Sequence, residues 1–317
     1  MMRYRDFATR MAARSGPVAL VSASLAGLQE VICLLARDGV GVSQALGVMG
    51  DDGQQTADVD AMLAALRAVQ ADPIAEIVVL ISESLPQEEA ARLLDLVRGS
   101  DKPSVVCFVG GAPQLAWRAG AIPAQRLDEA AMRAAAWVRG WDQALVSAWL
   151  GQERDELAAR AARLRLDRAG VRRQVQGLFS HPILLQEAHS VLSAALGEKS
   201  RPAALQVVAG ATMRAECLHD ALADPRVAVV VLGLVVDRSS KSGSVAAALE
   251  AARDRDLFST RSLHDGPLIV VRLSGATCDL PWLAQQEARL KDLGVVVATS
   301  NASAALLAGM VAAEAMA

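Results

Sequence analysis

One short unit occurs twice in this sequence, and that repetition limits the fold more than any other feature. The first copy, Gly16 to Ser43, reads GPVALVSASLAGLQEVICLLARDGVGVS. Pro17 to Val21 is a short, nearly continuous apolar run, the pattern of a strand buried on both faces. Ser22, Ser24 and Gly27 then make a turn of small residues. Beyond it, Leu28, Val31, Ile32, Leu34 and Leu35 fall at helical spacing up to Arg37. Asp38-Gly39 supplies a C-terminal stop of the kind glycine makes at low cost. A strand feeding a serine-rich turn at a helix N-terminus gathers backbone N–H groups at one spot, a ready anion site. The plain alternative is an ordinary βα connection in a parallel sheet.

The second copy is Val171 to Leu196, VRRQVQGLFSHPILLQEAHSVLSAAL. A strand-like run again meets a turn serine, Ser180, and Leu185-Gln186-Glu187 echoes Leu28-Gln29-Glu30 at the head of an amphipathic helix. The echo continues downstream. Helical Ala57–Ala71 ends in Asp72-Pro73 before the apolar run Ile77–Ile81, as Ala211–Ala223 ends in Asp224-Pro225 before Val227–Val236. Lys102-Pro103 leads into Ser104–Val109, as Gly266-Pro267 leads into Leu268–Leu273. Matched pairs in one order argue for an internal duplication. The predicted fold is α/β: two flavodoxin-like three-layer lobes with mainly parallel sheets, spanning residues 1–150 and 151–317.

Bulk properties fit two lobes and remove several function classes. The 317 residues suffice for two cores, and 53% hydrophobic against 21% charged residues places the chain among packed globular proteins. Aromatics are only 3%, so Ala, Val and Leu must fill those cores. A net charge of −3 and few stacking aromatics give no footprint for nucleic acid. No apolar stretch reaches the roughly 18 residues that a membrane span needs. The basic N-terminus, MMRYRDFATRMAARSG, lacks the apolar centre of a secretory signal; it reads as a lead-in helix or tail, with a mitochondrial-type presequence as the alternative. Cys33, Cys107, Cys217 and Cys278 show no CxxC spacing and read as small core hydrophobes in a reducing compartment, so a cytoplasmic location is expected.

Along the chain, LGVMGDDG (residues 46–53) reads as a short strand entering a glycine and carboxylate loop. Gly50 and Asp51 there are candidate substrate contacts, though Asp-Asp-Gly is above all turn chemistry. A helix is predicted from Gln87 to Arg98, and Ser104–Val109 ends at Gly110-Gly111, where a parallel sheet opens its ligand crevice. Ala130 to Arg168 reads as helical. Trp137, Trp141 and Trp149 fall on one face of it, suggesting a buried seam, and Gln152–Arg173 reads as a solvated charged face. Thr299-Ser300-Asn301 after a strand is an N-cap signature, and also a place for a ligand oxyanion to meet a helix N-terminus.

These strings carry a family resemblance. SASLAGLQEVICLL, DGVGVSQALGV, KPSVVCFVGG, QGLFS, ADPRVAVVVLGLVVD and QQEARLKDLGVVVATSNASAA, in that order, are similar to the FdrA family of acyl-CoA-synthetase-like proteins. Gly16–Ile122 in particular resembles the ligase domain of the succinyl-CoA synthetase α-subunit. The likeness covers about residues 16–308. It implies a nucleotide- or CoA-binding domain ahead of this stretch, and the sequence reads as beginning after it.

The departures bear on chemistry. The family's phosphorylated histidine stands in a His-Ala-Gly-Ala-Ile string; the comparable string here is Arg118-Ala119-Gly120-Ala121-Ile122. Arginine stays protonated and offers no lone pair, so phosphohistidine chemistry is not expected. His181, His189, His219 and His264 all read as surface or helix histidines. Ser24-Leu25-Ala26-Gly27 replaces a Ser-Gly-Thr-Gly-like turn, and Ser180-His181-Pro182 replaces Ser-Gly-Gly. Glycine lets backbone approach an anion, and proline removes an N–H. The segment Asp237–Gly243, with Lys241, reads as polar surface or an anion contact.

The resemblance implies a subunit of a carbamoyltransferase complex of the oxamate type, in ureide (allantoin) and purine catabolism, turning oxalurate and phosphate into oxamate and carbamoyl phosphate. Its candidate substrate or phosphate contacts are Ser22, Ser24, Gly27, Gly50, Asp51, Arg118, Ser180, Ser300 and Asn301, with no metal and no cofactor expected. Partners are other subunits or a second copy, and a small anion such as carbamoyl phosphate or oxamate. A non-catalytic assembly subunit is the alternative. An NDP-forming acyl-CoA ligase ranks third.

Overall fold

Each of the apolar runs becomes a strand of a parallel sheet. The computed structural model describes residues 5–6, 15–48, 58–166, 174–196, 204–207, 215–236, 245–253, 266–275 and 280–313. Its first elements are β1 (Arg5–Asp6), β2 (Val18–Ser22), α1 (Leu25–Arg37), β3 (Val42–Gly47), α2 (Val59–Gln70), β4 (Ile77–Glu83), α3 (Gln87–Arg98), β5 (Ser104–Val109), α4 (Pro113–Arg118), β6 (Ile122–Ala124) and α5 (Leu127–Val138). The long α6 (Gln143–Leu166) follows. Then come β7 (Gln174–Phe179), α7 (Pro182–Leu196), β8 (Ala204–Val207), α8 (Ala215–Ala223), β9 (Val227–Val236), α9 (Val245–Arg253), β10 (Leu268–Gly275), α10 (Leu280–Asp292), β11 (Val296–Val297) and α11 (Asn301–Ala312). The chain divides into two units, Met1–Leu150 with Gly275–Leu280, and Gly151–Ser274 with Pro281–Ala317.

The first sheet has the order β1-β3-β2-β4-β5-β6 and the second β11-β10-β9-β7-β8. Each contains five parallel strands, and β1 joins the first as a two-residue antiparallel edge, Arg5 opposite Gly47. Counted from β2 and from β7, both parallel orders read 2-1-3-4-5, the flavodoxin-like arrangement. The helices repeat too: α1 to α5 follow successive strands of the first sheet as α7 to α11 follow those of the second.

Burial on both faces explains why these strands are continuously apolar. In the first unit Ala19, Val21, Val78, Leu80 and Val106 join Met62 and Leu66 of α2 and Leu93 of α3 in one cluster, while α1 packs with α5. In the second unit α7 packs with α11 and α8 with α9. Almost every residue of α11 is buried, which its Ala and Leu composition permits on all sides. Gly309 lets α11 approach α7: a Cβ there would lie 2.9 Å from the Ala195 Cβ. Cys33 and Cys107 are buried, and Cys217 is partly so.

Three local expectations are corrected. Arg5–Asp6 is a strand, so the N-terminal stretch is not all helix or tail. The strand placed at the start of LGVMGDDG begins earlier, at Val42, because Val42 and Ala45 already pair with β2. The described part of the Ala130–Arg168 stretch, to Leu166, is two helices, broken where Gly140 takes a φ of 66° and the Asp142 carboxylate accepts the Ala144 N–H at 2.9 Å. Trp137 therefore ends α5, Trp141 sits in the turn at 43% exposure, and Trp149 lies on α6. Trp141 and Trp149 meet edge to face at 5.3 Å, with the Arg139 guanidinium 4.8 Å from the Trp141 ring.

Candidate functional site

In a sheet ordered 2-1-3-4-5 the connections leave strands 1 and 3 in opposite directions, which opens a crevice at their carboxyl ends. Here those strands are β2 and β4 in the first unit, β7 and β9 in the second. Ser22, Ser24 and Gly27 follow β2, and Ser180 follows β7, so the turn serines do stand at the switch points.

Their hydroxyls are committed differently. In the first unit the Ser22 Oγ donates to the Ser24 carbonyl at 2.7 Å and accepts the Ser24 N–H at 3.0 Å. Ser24 is the N-cap of α1, its Oγ accepting the Gly27 N–H at 3.4 Å. The turn thus satisfies itself. Glu83, which ends β4 two residues beyond Ile81, the register partner of Ser22, has its carboxyl pushed above the usual value by burial. The Ser82 Oγ beside it in sequence is buried with no hydrogen-bond partner among the described residues.

The second switch point is built otherwise. Counting back equally from Leu28 and Leu185 matches Ser24 with His181 and Gly27 with Leu184. An imidazole stands where the first unit has its capping hydroxyl. The Ser180 Oγ accepts the Val235 N–H from β9 at 2.9 Å and lies 2.9 Å from the His181 Nδ1. A hydroxyl both donates and accepts, so Ser180 holds the ring through Nδ1 in either tautomer. Burial lowers the His181 pKa below its ordinary 6.5, which favours the neutral ring. Nε2 has no hydrogen-bond partner among the described residues. The expectation that His181 is a plain surface or helix histidine is corrected: the ring is half-buried, and one nitrogen is held by Ser180. His189 is exposed, as expected.

Ser300 and Asn301 serve the scaffold. Ser300 caps α11 with its Oγ accepting the Ser303 N–H at 2.9 Å, and the Ser303 Oγ accepts the Ser300 N–H at 2.9 Å, a reciprocal capping box. Asn301 is fully buried. Its Nδ2 donates to the Leu184 carbonyl at 2.9 Å and to the Glu187 carboxylate at 2.8 Å, pinning the start of α11 to α7. Gly233 on β9 gives the Asn301 Oδ1 and the Phe179 ring their space, since a Cβ would come within 2.5 Å of both.

Arg118 is not brought to the crevice. It ends α4 near the start of β5, at the amino-terminal edge of the first sheet, so it and the turn serines lie at opposite ends of the strands. Gly50, Asp51 and the Asp237–Gly243 segment lie outside the described residues. Among the described residues no group of His, Cys, Asp and Glu could hold a metal ion, and no helix is long and apolar enough to cross a membrane.

Sequence reasoning missed two groups at these edges. A carboxylate closing the apolar run IVVLISE was the signal for Glu83, and a Ser-His pair directly after a strand was the signal for His181. The repeated Leu-Gln-Glu also has a structural reason: Glu30 and Glu187 are both buried, and Glu187 receives Asn301.

Residues 183–311 match the family described as CoA-ligase. The uncharacterized protein YahF of Escherichia coli (strain K12) is 26% identical over 94% of this chain and 62% of its own length. The chain thus spans less than two thirds of that curated relative. Among solved structures, the dinucleotide-forming acetyl-coenzyme A synthetase 1 of Ca. Korarchaeum cryptofilum in complex with phosphate and ADP is 15% identical, with a TM-score of 0.34 over 94% of this chain and 64% of that one. The ATP citrate lyase of Methanosaeta concilii is 10% identical, with a TM-score of 0.32 over 94% of this chain and 50% of that one. Likenesses at such scores carry no inference about chemistry. The matched stretch runs from the first turn of α7 to the last of α11, so the likeness to the CoA-ligase family lies in the second unit.

Proposed function

We propose that this chain is an FdrA-like, CoA-ligase-type subunit of a carbamoyl-transferring complex, of the kind that interconverts oxalurate with oxamate and carbamoyl phosphate. Its small anionic substrate binds at the carboxyl end of the second sheet. One observation supports this reading: a half-buried His181, its Nδ1 held by Ser180 and its Nε2 without a partner among the described residues, at the switch point between β7 and β9. An imidazole held through Nδ1 suits hydrogen bonding through a protonated Nε2 to a carboxylate, a phosphate oxygen or the oxyanion of a tetrahedral carbamoyl intermediate. Arg118 in place of a nucleophilic histidine argues against a phosphohistidine ligase.

Calorimetric titration of the purified chain with carbamoyl phosphate, and separately with oxamate, tests it. The expected result is micromolar binding of one of them, lost in His181→Ala and kept in Ser24→Ala. No binding of either by a folded chain overturns the reading.

A second reading, a non-catalytic assembly subunit of such a complex, is favoured by the self-satisfied first turn. Ser22, Ser24 and Ser300 spend their hydroxyls on their own backbone rather than on a ligand. Absence of ligand binding together with co-purification in a larger assembly would favour it.

A further inference from the structure

A cavity of about 510 Å³ opens at the amino-terminal edge of the first sheet, at the opposite end of its strands from the first switch point. The end of α3, the turn into β5 and the end of α4 form its walls, and its charged lining is Arg98, Asp101, Lys102 and Arg118. Three cations therefore face one carboxylate. Arg98 is partly spoken for, since its Nη1 bonds the Asp95 carboxylate at 2.6 Å. The Lys102 ammonium donates to the Asp72 backbone carbonyl, which holds it in place without neutralising it. The nearby Asp72 carboxylate accepts the Ile74 N–H through Oδ1 at 3.0 Å, while its buried Oδ2 has no hydrogen-bond partner among the described residues.

Arg118 is the member without a carboxylate. It is exposed, and it makes no ion pair or hydrogen bond among the described residues. Arg98 and Arg118 both sit in the last turn of a helix, where a cation is favoured, but only Arg98 has a carboxylate, Asp95, beside it. The residue before it, Trp117, is 71% exposed, the most exposed large hydrophobic side chain among the described residues. Gly120, with a φ of 78°, turns the chain at the rim without steric cost.

We propose that this cavity is a binding site for a phosphate-bearing small molecule, with Arg118 and Lys102 as its cationic contacts. A volume of this size suits a small ligand rather than a single ion. A guanidinium presents paired donors that match phosphate oxygens, and an ammonium adds a compact point charge. Trp117 precedes Arg118 in the chain and is exposed but does not line the cavity, so its part in holding a base-bearing ligand is left to the test. This site is distinct from the His181 crevice and does not depend on the transfer chemistry proposed for it.

The test is calorimetric titration of the full chain at low ionic strength with two probes, inorganic pyrophosphate and ADP. Pyrophosphate binds the parent chain, and Arg118→Ala and Lys102→Ala each weaken it at least about tenfold, while Arg118→Lys recovers part of the loss. Trp117→Ala that weakens ADP but leaves pyrophosphate unchanged identifies a nucleotide-type ligand; equal binding of both probes to Trp117→Ala and the parent identifies the phosphate group alone. The proposal is overturned if the folded parent chain binds neither probe, or if Arg118→Ala binds pyrophosphate as the parent does. Thermal unfolding of each variant separates lost binding from lost folding.

Discussion

The five parallel strands of the two units share one order, and the turns after their first strands differ in sequence and in hydrogen bonding. Ser24 closes the first helix with its own hydroxyl, whereas His181 at the matched position is a half-buried ring whose Nδ1 meets Ser180. The first turn is optimised for stability, and the second carries an unfinished hydrogen-bonding group. Duplicated scaffolds can diverge in this way because the sheet order is set by buried apolar runs, which the turn residues do not touch.

The comparison is broken most forcefully at Asn301, which ties α11 to α7 in the second unit. Asn301→Ala removes donors to Leu184 and to the buried Glu187 carboxylate, and is expected to lower stability by about 2–3 kcal/mol, measured by urea unfolding. Gly309→Val tests the same helix pair by overpacking, with an expected loss of about 1–3 kcal/mol and little change in the denaturant slope.

Exchanging the caps sharpens the comparison. Ser24→Ala should cost about 1 kcal/mol through the lost cap. His181→Ser, which transplants the first unit's cap, should gain a similar amount, about 1 kcal/mol, and abolish oxamate or carbamoyl phosphate binding. A serine variant that binds as well as the parent would separate the crevice from the imidazole.

The smallest effects are in pH dependence, and the two units are expected to differ in sign. Burial depresses the His181 pKa, so below its ordinary 6.5 the unfolded chain binds a proton that the folded chain resists; stability falls as pH drops through that region, and His181→Gln removes the slope. Burial raises the Glu83 pKa, so the folded chain holds the extra proton; stability falls as pH rises from about the ordinary 4.5 to the raised value. Glu83→Gln should therefore raise the melting temperature slightly at neutral pH and leave it unchanged below that window.

Much of the scaffold was legible before the structure. Ser104–Val109 and Val227–Val236 form strands over the residues that their apolar runs marked, and Gln87–Arg98 forms the helix its spacing marked. Thr299-Ser300-Asn301 announced a cap, and Ser300 makes one. The long helical stretch was harder. Ala130 to Arg168 has no proline, and the break at Gly140 depends on a turn closed by Asp142 that helical periodicity does not register.

What the sequence determined by itself is the duplicated α/β scaffold, because strand burial, helix periodicity and caps depend on residues close together in the chain. Only the tertiary structure decided which polar groups remain available. Val235 arrives from β9 to occupy Ser180, and Asn301 arrives from the far end of the chain to meet Glu187. Arg118 is carried to the edge of the sheet opposite the turn serines, because parallel strands put their beginnings and their ends on different sides. Such allocations are settled by distances between remote segments, and no local pattern records them.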